Sequence, residues 1–167
     1  MEAPSPAAPA ADAPHKPPAE VRAVQQLIDD LRPGLAIDLH EGWNDRTYWF
    51  VPAEGSADAR LTSQLEERVC QALDRQGLAT SSLSDLVPNM PLEHLNRFVP
   101  RSHGRLAWRW DEPARSPWGV AFLPYALRHG VAYQTEVGRW NPLPERIQYQ
   151  LTLTINLIRA FEKAHAL

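Results

Sequence analysis

Residues 35–42 read Leu35-Ala36-Ile37-Asp38-Leu39-His40-Glu41-Gly42, and this stretch decides the fold class. It begins just after Pro33-Gly34 and is apolar on both faces until Asp38 and His40 emerge toward its end. A short run with two apolar faces is the pattern of a central strand in an α/β sheet, covered by helices on either side. Side chains alternate in direction along a strand, so Asp38 and His40 share one face. Ligands in open α/β sheets collect outside the carboxyl ends of the strands, where this pair falls.

Upstream, Val21, Val24, Leu27, Ile28 and Leu31 recur at three- and four-residue spacing, which predicts a helix from about Ala19 to the Pro33-Gly34 stop. Downstream, Thr47-Tyr48-Trp49-Phe50-Val51 is rich in aromatic and β-branched residues and closed by Pro52, as a strand should be. Residues 57–76 predict a helix with Leu61, Leu65, Val69, Ala72 and Leu73 on one face and Gly77 as its C-cap. Cys70 lies in that pattern and reads as a small buried hydrophobe. As the only cysteine, it excludes an intrachain disulfide and a thiolate zinc cluster. From Thr80 to Pro117 five prolines predict a long surface excursion with one strand, Arg105 to Trp110. A short apolar helix is expected over 118–128. Val131 to Val137 reads as a second buried strand ending at Gly138, with Gln134 and Glu136 on one face. The closing helix, roughly 143–164, carries Ile147, Leu151, Ile155, Ile158 and Phe161, expected to face the sheet. Helices alternating with short buried strands indicate an α/β domain covered on both sides.

At 167 residues the chain suffices for one domain with a real core. A net charge of −3 argues against a nucleic-acid surface, which needs a concentrated basic patch. No apolar run reaches membrane-spanning length. Residues 1–18 hold six prolines and six alanines without a basic start or apolar segment, so they are expected to form a disordered tail and not a signal peptide. A cytoplasmic location follows by default.

The two polar-ended strands also carry a resemblance. Leu35 to Gly42 resembles the strand that delivers the last histidine ligand to zinc in the zinc carboxypeptidase superfamily, and most of all in its succinylglutamate desuccinylase/aspartoacylase group. Tyr133-Gln134-Thr135-Glu136-Val137-Gly138, followed by Pro142-Leu143-Pro144-Glu145-Arg146-Ile147-Gln148, resembles the strand bearing that family's general-base glutamate. Pro18 to Ala23 is similar to the helix before the histidine strand, so the match runs from about residue 17 to the C-terminus. The resemblance implies a mixed sheet flanked by helices on both faces, incomplete at its N-terminal side. It implies His40 as a zinc ligand and Glu136 as the catalytic base, with Asp38 or Glu41 orienting the imidazole through its second nitrogen. The implied substrate is a small acyl-amino acid or a peptide C-terminus. A substrate carboxylate would suit Arg139 or Arg46, since guanidinium matches it bidentately; Arg97 and Arg101 are further options.

The chain departs from the family in two respects, since it lacks both an upstream H-x-x-E motif and the Arg-Asn-Arg type segment that grips the substrate. The first two zinc ligands there belong to an upstream H-x-x-E motif, and none of the six histidines here (15, 40, 94, 103, 129 and 165) is followed by Glu or Asp at that spacing. One histidine cannot hold a catalytic zinc. Residues 19–167 are therefore expected to be the C-terminal half of a carboxypeptidase-like catalytic domain, inactive alone, with the remaining ligands outside this chain. A sheet lacking its first strands would leave an unpaired edge that invites association. The alternative is a non-catalytic α/β module that uses the crevice for binding or assembly. Glu162 and His165 have a spacing that can bind metal, but His165 is better read as complementing the helix dipole. The six tryptophans read as core and loop anchors.

Overall fold

The computed structural model describes residues 18–42, 45–52, 59–81, 98–108 and 122–166. Residues 1–17 of the tail expected over 1–18, the ends of the expected strand at 109–110 and helix at 118–121, and the side chains of His94 and Arg97 lie outside the described residues. Among the described residues nine elements follow one another. They are α1 (Ala19–Leu31), β1 (Leu35–Gly42), β2 (Tyr48–Val51), α2 (Ala59–Gln76), β3 (Phe98–Arg101), β4 (Arg105–Trp108), α3 (Phe122–Ala126), β5 (Val131–Gly138) and α4 (Leu143–His165). The five strands form one mixed sheet in the order β1-β5-β2-β4-β3. β1 runs parallel to β5 and β2 parallel to β4, while β2 is antiparallel to β5 and β3 to β4. The protein is thus an α/β fold with helices on both faces of a mixed sheet.

Alternation along the strands builds two cores. Trp49, Val51, Val131, Tyr133 and Val137 point to the side covered by α2 and α4, where Leu65, Val69, Leu73, Leu153 and Leu157 close over them. Tyr48, Phe50, Leu106 and Ala132 point to the other side and meet Ile28 of α1 and Leu123 and Ala126 of α3. α2 ends as its glycine predicts. Gly77 takes a left-handed φ of 63°, and the Leu78 amide reaches back to the Leu73 carbonyl at 3.0 Å. Gly130 is needed for a close backbone approach, because a Cβ there would lie 2.3 Å from the Gly34 carbonyl oxygen. That approach lets the Val131 amide donate to Gly34 and start the β1–β5 ladder.

Three expectations are corrected. β1 is not a central strand: among the described residues it is the edge of the sheet, paired to β5 alone, and Leu39 is 54 % exposed. The face that α4 turns to the sheet is Tyr149, Leu153, Leu157 and Ala160, whereas Ile147, Leu151, Ile155 and Ile158 lie exposed on another flank. A helix with two apolar stripes offers periodicity no means of choosing between them. The excursion after Thr80 contains a strand that periodicity missed, β3, whose Pro100 and Arg101 disguise it. No helix among the described residues is long and apolar enough to cross a membrane.

Candidate functional site

The register brings the two polar-ended strands together. His40 stands beside Glu136 and Asp38 beside Gln134 on adjacent parallel strands. Across the antiparallel β5–β2 ladder, Glu136 in turn stands beside Tyr48. Asp38, His40, Gln134, Glu136 and Tyr48 therefore share the α1/α3 side of the sheet near the carboxyl ends of β1 and β5. The His40 Nε2 donates to Asp38 Oδ2 at 2.8 Å, and its Nδ1 lies 3.7 Å from Glu136 Oε1. Gln134 Nε2 donates to the same Glu136 oxygen at 3.0 Å.

Burial and charge set the proton affinities. Glu136 is buried, and loss of solvent pushes its carboxyl above the usual carboxylate range; the Gln134 hydrogen bond and the His40 charge pull the other way. The hydrogen bond to Asp38 is the main cause that raises His40 above an ordinary imidazole, with the charges of Asp38 and Glu136 adding to it and partial burial opposing. Tyr48 is pushed up to about 12, first by burial and then by the Glu136 charge. The result is an acid–base row on one sheet face: a half-exposed imidazole, a buried carboxyl and a phenol that keeps its proton.

The other anticipated residues lie elsewhere. Glu41 projects to the α4 side, where it pairs with Arg146, so of the two carboxylates proposed to orient His40 only Asp38 reaches it. The alternation of β1 dictates this, since 38 and 40 share a face and 41 does not. Arg46 lies against Asp45 at 3.2 Å and lines a cavity of about 480 Å³ on the α4 side with Val137 and Tyr149. Arg139 follows β5 directly, its amide donates to the Gly42 carbonyl, and its guanidinium sits 5.0 Å over the Trp140 ring. Arg101 faces Glu66 at 3.6 Å, on the far side of the sheet from His40. The His165 Nδ1 donates to the Phe161 carbonyl at 3.0 Å and its ring packs on the Phe161 ring, which suits the helix-end reading. Tyr48 was missed as a site residue, because nothing local in an aromatic strand tells which strand it will pair with.

The site does not complete a metal centre by itself. Among the described residues no three His, Cys, Asp or Glu side chains converge to hold a metal, and both ring nitrogens of His40 face carboxylates.

No sequence-family model matches this chain, and no curated protein resembles it in sequence. Solved structures do share its fold. A protein from Shewanella amazonensis described as a "putative metallopeptidase" superposes with a TM-score of 0.54 at 16 % identity, covering 86 % of this chain. One of the same description from Shewanella denitrificans superposes with a TM-score of 0.53 at 12 % identity, covering 84 %. In both cases the match takes in 47 % of the other chain, so this chain spans about half the length of those structures.

Proposed function

We propose that this chain carries part of the catalytic centre of a metal-dependent amide hydrolase, with Glu136 as general base and His40 as one ligand of a zinc ion whose other ligands lie outside the described residues. The observation that carries the reading is the buried Glu136 carboxyl beside His40 at the strand ends, its proton affinity raised by burial. The shared fold of the two Shewanella proteins, described as metallopeptidases, adds a hydrolase class to that geometry.

A carboxyl whose proton affinity is raised by burial is suited to exchange protons during turnover. Ionised, Glu136 accepts a proton from water as the water oxygen bonds to the amide carbon. It returns that proton to the nitrogen as the C–N bond breaks, leaving a carboxylic acid and an amine. Gln134 holds the carboxylate oxygen in place, and Asp38 fixes the ring of His40. The substrate class is a small acyl-amino acid or a peptide C-terminus.

The second reading, a non-catalytic binding or assembly module, is favoured by the engagement of both His40 nitrogens. One experiment separates the two. The natural protein containing this chain is assayed against N-acyl-amino acids and peptides after zinc loading, alongside its Glu136→Gln form. Turnover that falls by about 10²-fold or more in Glu136→Gln, with zinc content unchanged, is the expected result. Full activity in that variant refutes the base, and absent zinc with absent turnover leaves the binding module.

A further inference from the structure

The acid–base row is held from the opposite face of the sheet as well as from its own. β1 and β5 run parallel, with Leu39 opposite Thr135 and His40 opposite Glu136. Their ladder opens where the Val131 amide donates to Gly34 and closes where the Arg139 amide donates to Gly42. A parallel ladder repeats every two residues, so the His40 carbonyl also faces the gap between the two strands. Thr135 and Glu136 are neighbours in sequence, and their side chains leave β5 on opposite faces. Glu136 meets the imidazole, whereas the Thr135 hydroxyl meets α4. There Gln150 spans both strands. Its Nε2 donates to the His40 carbonyl at 2.9 Å, and its Oε1 accepts from Thr135 Oγ1 at 2.5 Å. Since a carbonyl can only accept, the His40 bond fixes which end of the amide lies over which strand. One turn earlier on the same flank of α4, Arg146 pairs with Glu41.

We propose that Gln150 is a positioning residue of the site, a clamp that sets His40 against Glu136 from behind the sheet. This role rests on the hydrolase reading, because a clamp matters to chemistry only where His40 and Glu136 act together. Asp38 and Gln134 hold the side chains of the row on its own face; Gln150 holds the backbone that carries them. Thr135 is 0 % exposed, so its hydroxyl depends on a protein acceptor, and the Asp38 carbonyl at 3.4 Å is a poorer one than Gln150. The His40 Nδ1 and Glu136 Oε1 are 3.7 Å apart. A slide of β1 by about 1 Å changes which groups can meet there, and misplacement on that scale can cost about 10²-fold in rate.

NMR on the full chain tests the clamp. Gln150→Met keeps the length of the side chain and its helix propensity but loses both hydrogen bonds. Amide exchange at Val137, which the ladder sets against the His40 carbonyl, should quicken by about 5-fold, the worth of one net hydrogen bond. Val131 and Tyr133, at the start of β5, should keep their protection. The ring signals of His40 and the side-chain amide signals of Gln134, on the face that Gln150 does not touch, should shift. Gln150→Glu keeps the acceptor for Thr135 and loses the donor to His40, so it should quicken Val137 in the same way. Thr135→Ser keeps the hydroxyl and should leave all of these signals in place. Protection lost evenly along β5, or unmoved His40 and Gln134 signals, reduces Gln150 to a helix contact and overturns the proposal.

The natural protein containing this chain reads the link to catalysis. Gln150→Met should lower kcat on N-acyl-amino acids or peptides by between about 10- and 100-fold, with KM unchanged, and Thr135→Ser should keep the wild-type kcat. An unchanged kcat in Gln150→Met overturns the positioning role. A wild type without turnover removes the hydrolase reading instead, and the Val137, His40 and Gln134 responses still decide whether Gln150 sets the row.

Discussion

Replacing Arg105 by methionine should be among the most damaging single changes in this protein, and its cost should depend on pH. Glu66 is 1 % exposed beneath the sheet, and its Oε2 accepts from Arg105 Nη1 at 2.9 Å while Arg101 approaches to 3.6 Å. Burial raises the Glu66 carboxyl, and Arg105 is the first of the charges that bring it back down. Removing one partner of a buried pair costs roughly 3–5 kcal/mol, because the remaining charge is left without compensation. Arg101 stays in place, so about 3 kcal/mol is expected at pH 8. The same change also frees the Ser102 carbonyl and hydroxyl that Arg105 holds. Without Arg105 the folded-state pKa of Glu66 rises further, so the native state binds its proton more tightly than the unfolded chain does. Stability of the variant is then retained below the ordinary carboxylate pKa of ~4.3 and lost as pH rises through the raised value. Urea denaturation followed by circular dichroism at pH 5 and pH 8 measures both terms. The penalty should shrink at pH 5, and the double change Glu66→Leu with Arg105→Met should recover most of the loss. A penalty below about 1 kcal/mol, within the range of an exposed ion pair, or one flat between the two pH values, refutes the reasoning.

Asp38→Asn should lower the pKa of His40 in an NMR titration of its ring, since the Asp38 hydrogen bond is the main cause that raises it. The stability this pair contributes is present in full below an ordinary imidazole pKa of ~6.5 and lost as pH rises through the raised value, so the variant's deficit should be larger at pH 5.5 than at pH 8.5; an unmoved titration would count against the pairing. On α4, Leu153→Ala should cost about 2–5 kcal/mol, as a fully buried leucine does. Leu151→Ala, two residues away and 52 % exposed, should cost under about 0.5 kcal/mol in chemical denaturation of the dilute chain, and equal costs would mean that the faces of α4 are assigned the wrong way round.

The contrast on α4 also marks where sequence reasoning stops. The elements themselves were legible: α2 with its Gly77 cap, β5 with its closing glycine, and the helix that follows it all lie where local periodicity and turn chemistry put them. Pairing was not. β2 sits between β5 and β4, antiparallel to the first and parallel to the second, a long-range arrangement that no window of residues encodes, and it is this arrangement that lays Tyr48 beside Glu136. The alternation of β1 placed Asp38 and His40 on one face and removed Glu41 from it, yet the apolar pattern of the same strand pointed to burial on both sides. The pattern reports what the strand requires of its surroundings, not whether these residues supply it.

That requirement links stability to the site. Among the described residues His40 lies on the edge strand itself, on the α1/α3 side of the sheet, and Leu39 beside it is exposed on the α4 side. A strand laid along β1 brings side chains within cross-strand reach of His40. Covering the edge and adding neighbours to the imidazole are therefore one event. A partner that binds the folded chain and not the unfolded one stabilises it by RT ln(1 + [L]/Kd), about 2.7 kcal/mol at a hundredfold excess over Kd. Thermal stability should accordingly rise with any strand-donating partner under the same conditions that change the environment of His40. In the Leu39→Lys chain, which cannot close the edge, both responses should disappear together.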